Sequence, residues 1–381
     1  MTCVQKTVVV GMSGGVDSSV AALLLKQQGY RVIGVFMKNW EEDDDEGRCQ
    51  SREDYEDVVQ VCNQIGIPYY SVNFSKQYWD RVFSRCLKEF RAGHTPNPDI
   101  LCNKEIKFNV FFQKAMELKA DYLATGHYCR KLLADGEYKL ARGIDSNKDQ
   151  SYFLYTMKKE VLEKVLFPLG EMKKEEIRRI AEEEQFVTAC KKDSVGICFI
   201  GKRNFKEFLS EYIPSKPGNL ETPDGRVVGQ HDGIAYYTIG QRKGLGIGGE
   251  GAAWFVAGKD VKRNVVIVVQ GDEDPFLYSK GVIAGEVSWV GNCISKVPFR
   301  CTAKVRYRQE DFSCTITALE EKRVVVEFDL PQKAVTVQQS IVFYNGDLCL
   351  GGAIIESLSN QIFDFDKNKK QTVFDKNPLR E

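Results

Sequence analysis

Val8-Val9-Val10-Gly11-Met12-Ser13-Gly14-Gly15-Val16-Asp17-Ser18-Ser19 decides the fold of this chain. An apolar, β-branched run ends in a glycine pair. Ser18-Ser19-Val20-Ala21-Ala22-Leu23-Leu24-Leu25 follows, with good helix formers at helical spacing. The stretch therefore reads as strand, tight loop, helix. Such a turn aims unpaired backbone N–H groups and the positive end of a helix into one small space, which suits a phosphate. Gly14 and Gly15 permit positive φ and close approach by a ligand. Ser13, Ser18 and Ser19 add hydroxyl donors. The loop lacks the lysine of G-x-x-x-x-G-K-[ST] and the spacing of G-x-G-x-x-G, so neither of those phosphate-binding turns is present.

Outward from the loop, Arg31 to Met37 is a second strand, reached through Gly29, a good helix stop. This β-α-β unit implies parallel strands in a doubly wound α/β sheet, where ligands sit beyond the carboxyl ends of the strands. Met37 lies at such an end and is either a cover for an adenine or an ordinary apolar strand residue. Ser51 to Gln64 reads as helix, Pro68 to Phe74 as strand, Gln77 to Phe90 as helix and Asp121 to Tyr128 as another strand. At the end of that last strand Gly126 permits close approach of a nucleotide, and His127 is placed to touch a substrate.

Two cysteines stand out by context. In Gly93-His94-Thr95-Pro96-Asn97-Pro98-Asp99-Ile100-Leu101-Cys102-Asn103-Lys104, the two prolines are expected to forbid helix and favour a stiff, shaped loop. Asn103 then caps a helix from Lys104 to Leu118. Cys102 is thereby expected just before a helix N-terminus, where a thiol's pKa falls, with Asp99 close enough to share the site. The competing reading is a buried structural cysteine. Cys198 lies in Lys191-Lys192-Asp193-Ser194-Val195-Gly196-Ile197-Cys198-Phe199-Ile200-Gly201, between glycines that suggest presentation rather than packing. Asn147-Lys148-Asp149-Gln150-Ser151 joins polar donors to an aromatic helix start, with Asp149 or Ser151 as the cap. Lys139 to Arg142 reads as one arm of a hairpin, and the acidic run Glu41 to Glu46 as a solvated loop.

The chain's 381 residues call for two or three domains. No apolar run is long enough to span a bilayer, and Met1 to Lys6 enter the first strand at once, so the expected location is the cytoplasm. The 53 basic and 53 acidic residues balance, so any RNA contact must rest on local patches. Twelve cysteines include no C-x-x-C, which argues against a zinc ribbon, and no metal ligand set is evident. Residues 1–203 form the α/β unit. Beyond the linker Pro214 to Gly218 the alternation stops, and short runs rich in Val, Ile, Phe and Tyr indicate β-rich domains over 204–280 and 281–361, with a polar tail at 362–381. Gly244 to Gly249 satisfies G-x-G-x-x-G, but no helix follows, so it is no dinucleotide site. Val282–Val290, Phe299–Tyr307, Cys314–Ala318, Val324–Phe328, Ala334–Val337, Ser340–Tyr344 and Asp347–Ile355 supply strands for a small barrel. Arg306-Tyr307-Arg308 offers two guanidinium forks and a stacking ring, either an RNA contact or an exposed strand face.

The hexapeptide Ser13-Gly14-Gly15-Val16-Asp17-Ser18 resembles the S-G-G-x-D-S loop of the ATP pyrophosphatases, which split ATP between its α- and β-phosphates and leave AMP on an acceptor oxygen. Further strings, GVFMKNW, TPNPDILCNKEIKF, ATGHY, SNKDQSYFLYT, GICFIGKR, YTIGQRKGLGIGG and RYRQ, make nearly the whole chain resemble the bacterial tRNA-specific 2-thiouridylases, also found in mitochondria. That resemblance implies a PP-loop domain, a small central domain and a C-terminal β-barrel, the last two gripping tRNA. It implies adenylation of the C2 oxygen of the wobble uridine in tRNAs for Lys, Glu and Gln, then replacement of that oxygen by sulfur. ATP, expected with Mg2+, would lie on Gly11 to Ser18, Met37 and Gly126. Cys198 would carry a persulfide delivered by a sulfur-relay protein or cysteine desulfurase. Cys102 would be its partner nucleophile, releasing sulfide or closing a Cys102–Cys198 disulfide, and Asp99 would assist proton transfer. Asn97, Pro98 and Asp99 would face the target base; His127, Lys148, Asp149, Gln150, Arg306, Tyr307 and Gln339 would touch tRNA. Where the family has P-G-Q-S, this chain has Val337-Gln338-Gln339-Ser340, a departure on the turn that carries Gln339. Rival readings are a PP-loop amidoligase, an iron–sulfur thiolase holding a cluster on Cys102, Cys198 and a third ligand, and a non-catalytic RNA-binding protein.

Overall fold

The computed structural model describes residues 5–40, 50–193, 205–291, 294 and 296–359. Cys198, the acidic run 41–46 and the tail 362–381 lie outside them. The chain opens with β1 (Thr7–Met12), α1 (Val16–Gln27), β2 (Arg31–Lys38), α2 (Gln50–Ile65) and β3 (Tyr69–Asn73). A helical run follows over Ser75–Arg91, then α3 (Pro98–Cys102), β4 (Tyr122–Ala124), a hairpin of β5 (Cys129–Ala134) and β6 (Glu137–Arg142), β7 (Val165–Leu166) and α4 (Lys174–Glu183). The first sheet is parallel in the order β3-β2-β1-β4-β7, with Val8 level with both Val32 and Tyr122. Val8, Val9 and Val10 are wholly buried, as a central parallel strand covered on both faces requires. From β1 the chain winds to β2 and β3 on one side and only later returns to β4 on the other. The switch point, where ligands of such sheets bind, therefore falls between the carboxyl ends of β1 and β4.

The central domain is a four-stranded sheet in the order β10-β11-β8-β9, from β8 (Gly218–Glu221), β9 (Val227–His231), β10 (Trp254–Asp260) and β11 (Val265–Gln270). The C-terminal domain comprises β12 (Tyr278–Trp289), β13 (Phe299–Lys304), β14 (Phe312–Leu319), β15 (Arg323–Lys333), β16 (Ser340–Asn345) and β17 (Leu348–Ser359). Pairing of β12 with β17 closes these six strands into a barrel around Val282, Ala303, Ile316, Val326, Phe343 and Ile355. The sequence suggested a further strand at Ala334–Val337. Instead Ala334 (φ +55°) and Gln338 (φ +67°) turn the chain there through the left-handed region, and β15 extends to Lys333.

The three domains are stitched to one another. Ala141 of β6 pairs with Leu348 of β17, so the hairpin of the first domain extends the barrel's sheet. The buried Tyr152 and Tyr155 hydroxyls reach the backbone oxygen and hydroxyl of Ser340, at 2.9 and 3.0 Å. Arg142 lies over the Tyr344 ring, 3.5 Å from its centroid.

Candidate functional site

The loop after β1 is built by its own side chains. Ser18 Oγ donates to Gly15 O (3.1 Å) and accepts the Ser13 N–H (3.1 Å), while Ser19 Oγ donates to Gly15 O (3.0 Å). Gly14 has φ +68°, and a Cβ there would meet the backbone oxygen of Asp54 on α2 at 2.5 Å. Glycine is thus required twice, for its dihedral and for its missing side chain. Gly126, at the end of β4, backs onto the first turn of α1: a Cβ would sit 3.0 Å from the Ser18 nitrogen. A Cβ on Gly11 would sit 3.1 Å from the Phe111 ring and 3.7 Å from the Met37 methyl, and Met37 is buried. Gly11, Met12, Ser13, Gly14, Gly15, Val16, Asp17 and Ser18 occur in one strand end, loop and helix turn, and Met37 and Gly126 pack directly beside them.

Asp17 is a hub that the sequence did not disclose. Lys174 Nζ, from the start of α4, donates to both its carboxylate oxygens (2.7 and 2.9 Å), and the Tyr128 hydroxyl donates to Oδ1 (2.6 Å). Burial first, then the Asp17 charge and hydrogen bond, push the Tyr128 phenol upward, so it stays a donor. Lys174 Nζ also lies 2.8 Å from Asp193, which accepts from Lys148 (2.6 Å) and Arg178 (2.9 Å). Burial alone would raise the Asp193 carboxyl, but the bonds from Lys148 and Lys174 outweigh it and bring it down to about 2. The loop's missing lysine was the available signal: a phosphate site without its own cation has to borrow one. The residues present do not offer Mg2+ an open ligand at Asp17, whose oxygens already face Lys174 and Tyr128.

The segment bearing Asp99 and Cys102 corrects the sequence reading. It is helical from Pro98, not from Lys104. Asn97 is the cap, its Oδ1 accepting the Ile100 N–H at 3.2 Å, and Pro98 occupies the first helical position, where its missing N–H costs nothing. Cys102 therefore ends α3 rather than preceding a helix, and its thiol is wholly buried. The argument for a thiolate at a helix N-terminus does not apply to it. A π-helical segment, Asn103–Phe111, continues α3 and delivers Phe111 against Gly11, which ties the Cys102 helix to the nucleotide loop. Asn97, Pro98 and Asp99 are half-buried at the head of this run. Asn103 Oδ1, Asn39 Oδ1 and Trp40 Nε1 are buried without a partner among the described residues, at the ends of α3 and β2.

The residues expected to touch tRNA divide. His127 is buried between Phe108 and Phe167, its Nδ1 2.8 Å from Thr125 Oγ1, and burial holds its pKa well below the ordinary value. The Asp149 carboxylate is buried, accepting from Gly143 N (3.2 Å), Ser151 N (3.1 Å) and Ser151 Oγ (3.0 Å). Gln150 Oε1 accepts the Tyr128 N–H (3.0 Å). Arg306 is no exposed fork: its NH2 donates to Ile239 O (2.6 Å), Ala334 O (2.9 Å) and Thr336 Oγ1 (3.2 Å), joining the central domain to the barrel. Tyr307 packs on Phe153, with centroids 4.4 Å apart, and Arg308 is exposed. Gln339 Nε2 donates to Thr95 O (2.6 Å).

Among the described residues no three His, Cys, Asp or Glu side chains converge as a metal site needs, and no helix is long and apolar enough to cross a membrane. The family model described as "tRNA methyl transferase HUP domain" matches residues 6–202, the "tRNA methyl transferase PRC-barrel domain" 206–270, and the "Aminomethyltransferase beta-barrel domain" 279–355. The chain is 60% identical over 354 residues to the tRNA-specific 2-thiouridylase MnmA of Geobacillus thermodenitrificans, covering 93% of this chain and 95% of that protein. It is 57% identical over 352 residues to the protein of the same name from Exiguobacterium sibiricum, covering 92% and 94%. With three family models in succession and this identity along nearly its whole length, the chain belongs to the tRNA-specific 2-thiouridylase family.

Proposed function

We propose that this protein is an ATP-dependent tRNA sulfurtransferase. It adenylates the C2 oxygen of the wobble uridine in tRNAs for Lys, Glu and Gln and replaces that oxygen with sulfur, releasing AMP and pyrophosphate. One observation carries the reading: the Asn97–Cys102 helix runs on into the segment whose Phe111 packs on Gly11 of the nucleotide loop, and Cys102, Phe111 and Met37 share one buried core. ATP lies on Gly11 to Ser18 beside Met37 and Gly126. The free N–H groups of the loop and the first turn of α1 stabilise charge on the departing pyrophosphate. Lys174 supplies the positive charge that the loop sequence lacks.

Asp99 takes the proton released at the base. Cys198, outside the described residues, carries the persulfide. Its terminal sulfur attacks C2 and AMP leaves; the Cys102 thiolate then attacks Cys198 Sγ itself, breaking the Sγ–S bond, so that the outer sulfur stays on C2 with the bonding electrons and a Cys102–Cys198 disulfide forms. An external thiol regenerates the pair. The central domain and barrel grip tRNA together with Lys148 and Gln150 of the catalytic domain, and Tyr307 is the barrel residue packed beside them on Phe153. The sulfur comes from a persulfide-bearing relay protein or cysteine desulfurase, Mg2+ accompanies ATP, and the reaction takes place in the cytoplasm.

The names of the family models point to methyl transfer instead. Single-turnover reaction of unmodified tRNA-Lys with ATP and a persulfide source separates the two. Thiolation gives AMP and 2-thiouridine in equal amounts, and Cys102→Ser and Cys198→Ser each lose the thiouridine. AMP without thiouridine in the wild type would reject the sulfur chemistry. A methylated uridine formed from a sulfonium methyl donor without ATP would establish the other reading.

A further inference from the structure

The connection Ala92–Asn97 sets the aim of α3, because Asn97 is that helix's cap. Its own domain holds its start: Gly93 N donates to Phe90 O (2.9 Å) and His94 N to Glu89 O (3.0 Å). Two carbonyls further along are held from outside. Gly93 O accepts from Lys259 Nζ (2.7 Å) on β10 of the central domain. Thr95 O accepts from Gln339 Nε2 (2.6 Å), in the turn before β16 of the barrel.

Both donors are themselves braced. Next to Lys259, Val261 fills the space beside Gly93: a Cβ there would lie 2.6 Å from Val261 Cγ2, and Gly93 has φ +81°. The Gln339 turn is closed by Gln339 N on Thr336 O (3.2 Å) and Ile355 N on Gln339 O (2.8 Å). Thr336 also receives Arg306, which donates as well to Ala334 O and, in the central domain, to Ile239 O. Lys259 is a costly choice for a stability contact. Burial pushes its ammonium down to about 8, and a packed apolar side chain would avoid that penalty.

We propose that Lys259 and Gln339 are positioning residues, a two-point clamp with one donor from each accessory domain, that fixes Asp99 and Cys102 relative to the nucleotide loop. One fixed carbonyl would leave the segment a pivot; two fix its direction. The clamp acts on the rate of thiolation rather than on tRNA affinity. It rests on the sulfurtransferase reading above.

The test uses the full-length protein with Lys259→Met, Lys259→Arg, Gln339→Met and the Lys259→Met/Gln339→Met double variant. Tight positioning predicts a ~10-fold loss in single-turnover thiolation for each single methionine variant, with the tRNA dissociation constant of Lys259→Met, which lies outside the proposed tRNA contacts, within ~2-fold of wild type. Because both donors hold one segment, the double variant falls little further than the worse single one. Lys259→Arg, which keeps a donor, recovers most of the rate. Amide hydrogen exchange quickens at residues 92–97 in the methionine variants and stays unchanged in β1 and α1. Rate loss matched by equal loss of tRNA affinity would overturn the clamp and make Gln339 an RNA contact. Unchanged thiolation despite faster exchange would also overturn it, as would Lys259→Arg no better than Lys259→Met. If wild type makes no thiouridine, the sulfurtransferase reading fails, while the exchange data still report whether the two bonds hold the segment.

Discussion

Gly14 and Gln338 are both left-handed, at φ +68° and +67°, and the sequence disposes of them in opposite ways. At Gly14 a methyl group would also strike the Asp54 backbone, so Gly14→Ala combines dihedral strain of about 1–2 kcal/mol with a backbone clash. The expected outcome is a Tm lowered by several degrees and no AMP formed from ATP. Gln338 stands where the family pattern has glycine. Gln338→Gly relieves the strain and, after glycine's entropy cost, gains about 0.5 kcal/mol in denaturant unfolding. Lys259 gives a pH signature. Its amine is pushed from an ordinary 10.5 down to about 8 on folding, so between those values the unfolded chain binds more protons than the folded one. The burial penalty is therefore fully present below pH 8 and is relieved as pH rises toward 10.5. Relative to Lys259→Met, wild type gains on the order of 2 kcal/mol between pH 7 and pH 10. A difference in Tm between the two proteins that stays flat across that range would contradict it. Glycine pairs and cysteines of this kind are visible in a sequence because their demands are local. The Asp17–Lys174 bond is not, because it joins residues 157 positions apart through the packing of α4 on α1.

Elements show why part of the site was legible and part was not. β1, its loop and α1 could be read because an apolar strand, a glycine turn and a helical period follow one another without interruption. α3 was misread for a specific reason: Pro96 and Pro98 look like breakers, yet a proline preceded by Asn97 is a helix start. That error moved the cap from Asn97 to Asn103 and turned Cys102 from the last residue of one helix into a residue just before the N-terminus of another. Asn97→Ala leaves the Ile100 N–H without its acceptor and costs about 1 kcal/mol. It should lower Tm slightly and slow thiolation far more than it slows ATP binding, since the helix it caps carries Asp99 and Cys102. The burial of Cys102 makes its own forecast: in the free protein, iodoacetamide labels the exposed Cys190 well before Cys102. Ala334–Val337 reads as strand because alternating Val and Thr conceal a left-handed residue at Ala334 and another directly after the run at Gln338.

Over the whole molecule the three domains close a ring, with Lys259 on Gly93, Arg306 on Ile239 and Gln339 on Thr95. Arg306 was legible as a functional arginine and is structurally a joint. Arg306→Met removes three half-buried hydrogen bonds, the one to Ile239 crossing between domains, and should cost about 2–3 kcal/mol. Its tRNA binding should keep the salt dependence of the wild type, because no phosphate contact is lost. A shallower salt slope would return Arg306 to the RNA surface. The hairpin β5–β6 extends the same closure into the order of synthesis. It is encoded in the first domain, yet its outer edge is completed only when Leu348 of β17 arrives beside Ala141. Roughly 200 residues separate those two, so at the ribosome's pace of about 5–20 residues per second the strand edge waits on the order of 10–40 s for its partner. The catalytic domain is thus finished by β17, the last strand among the described residues to be translated, and a growing chain is open to chaperones, and to mispairing, until the barrel shuts.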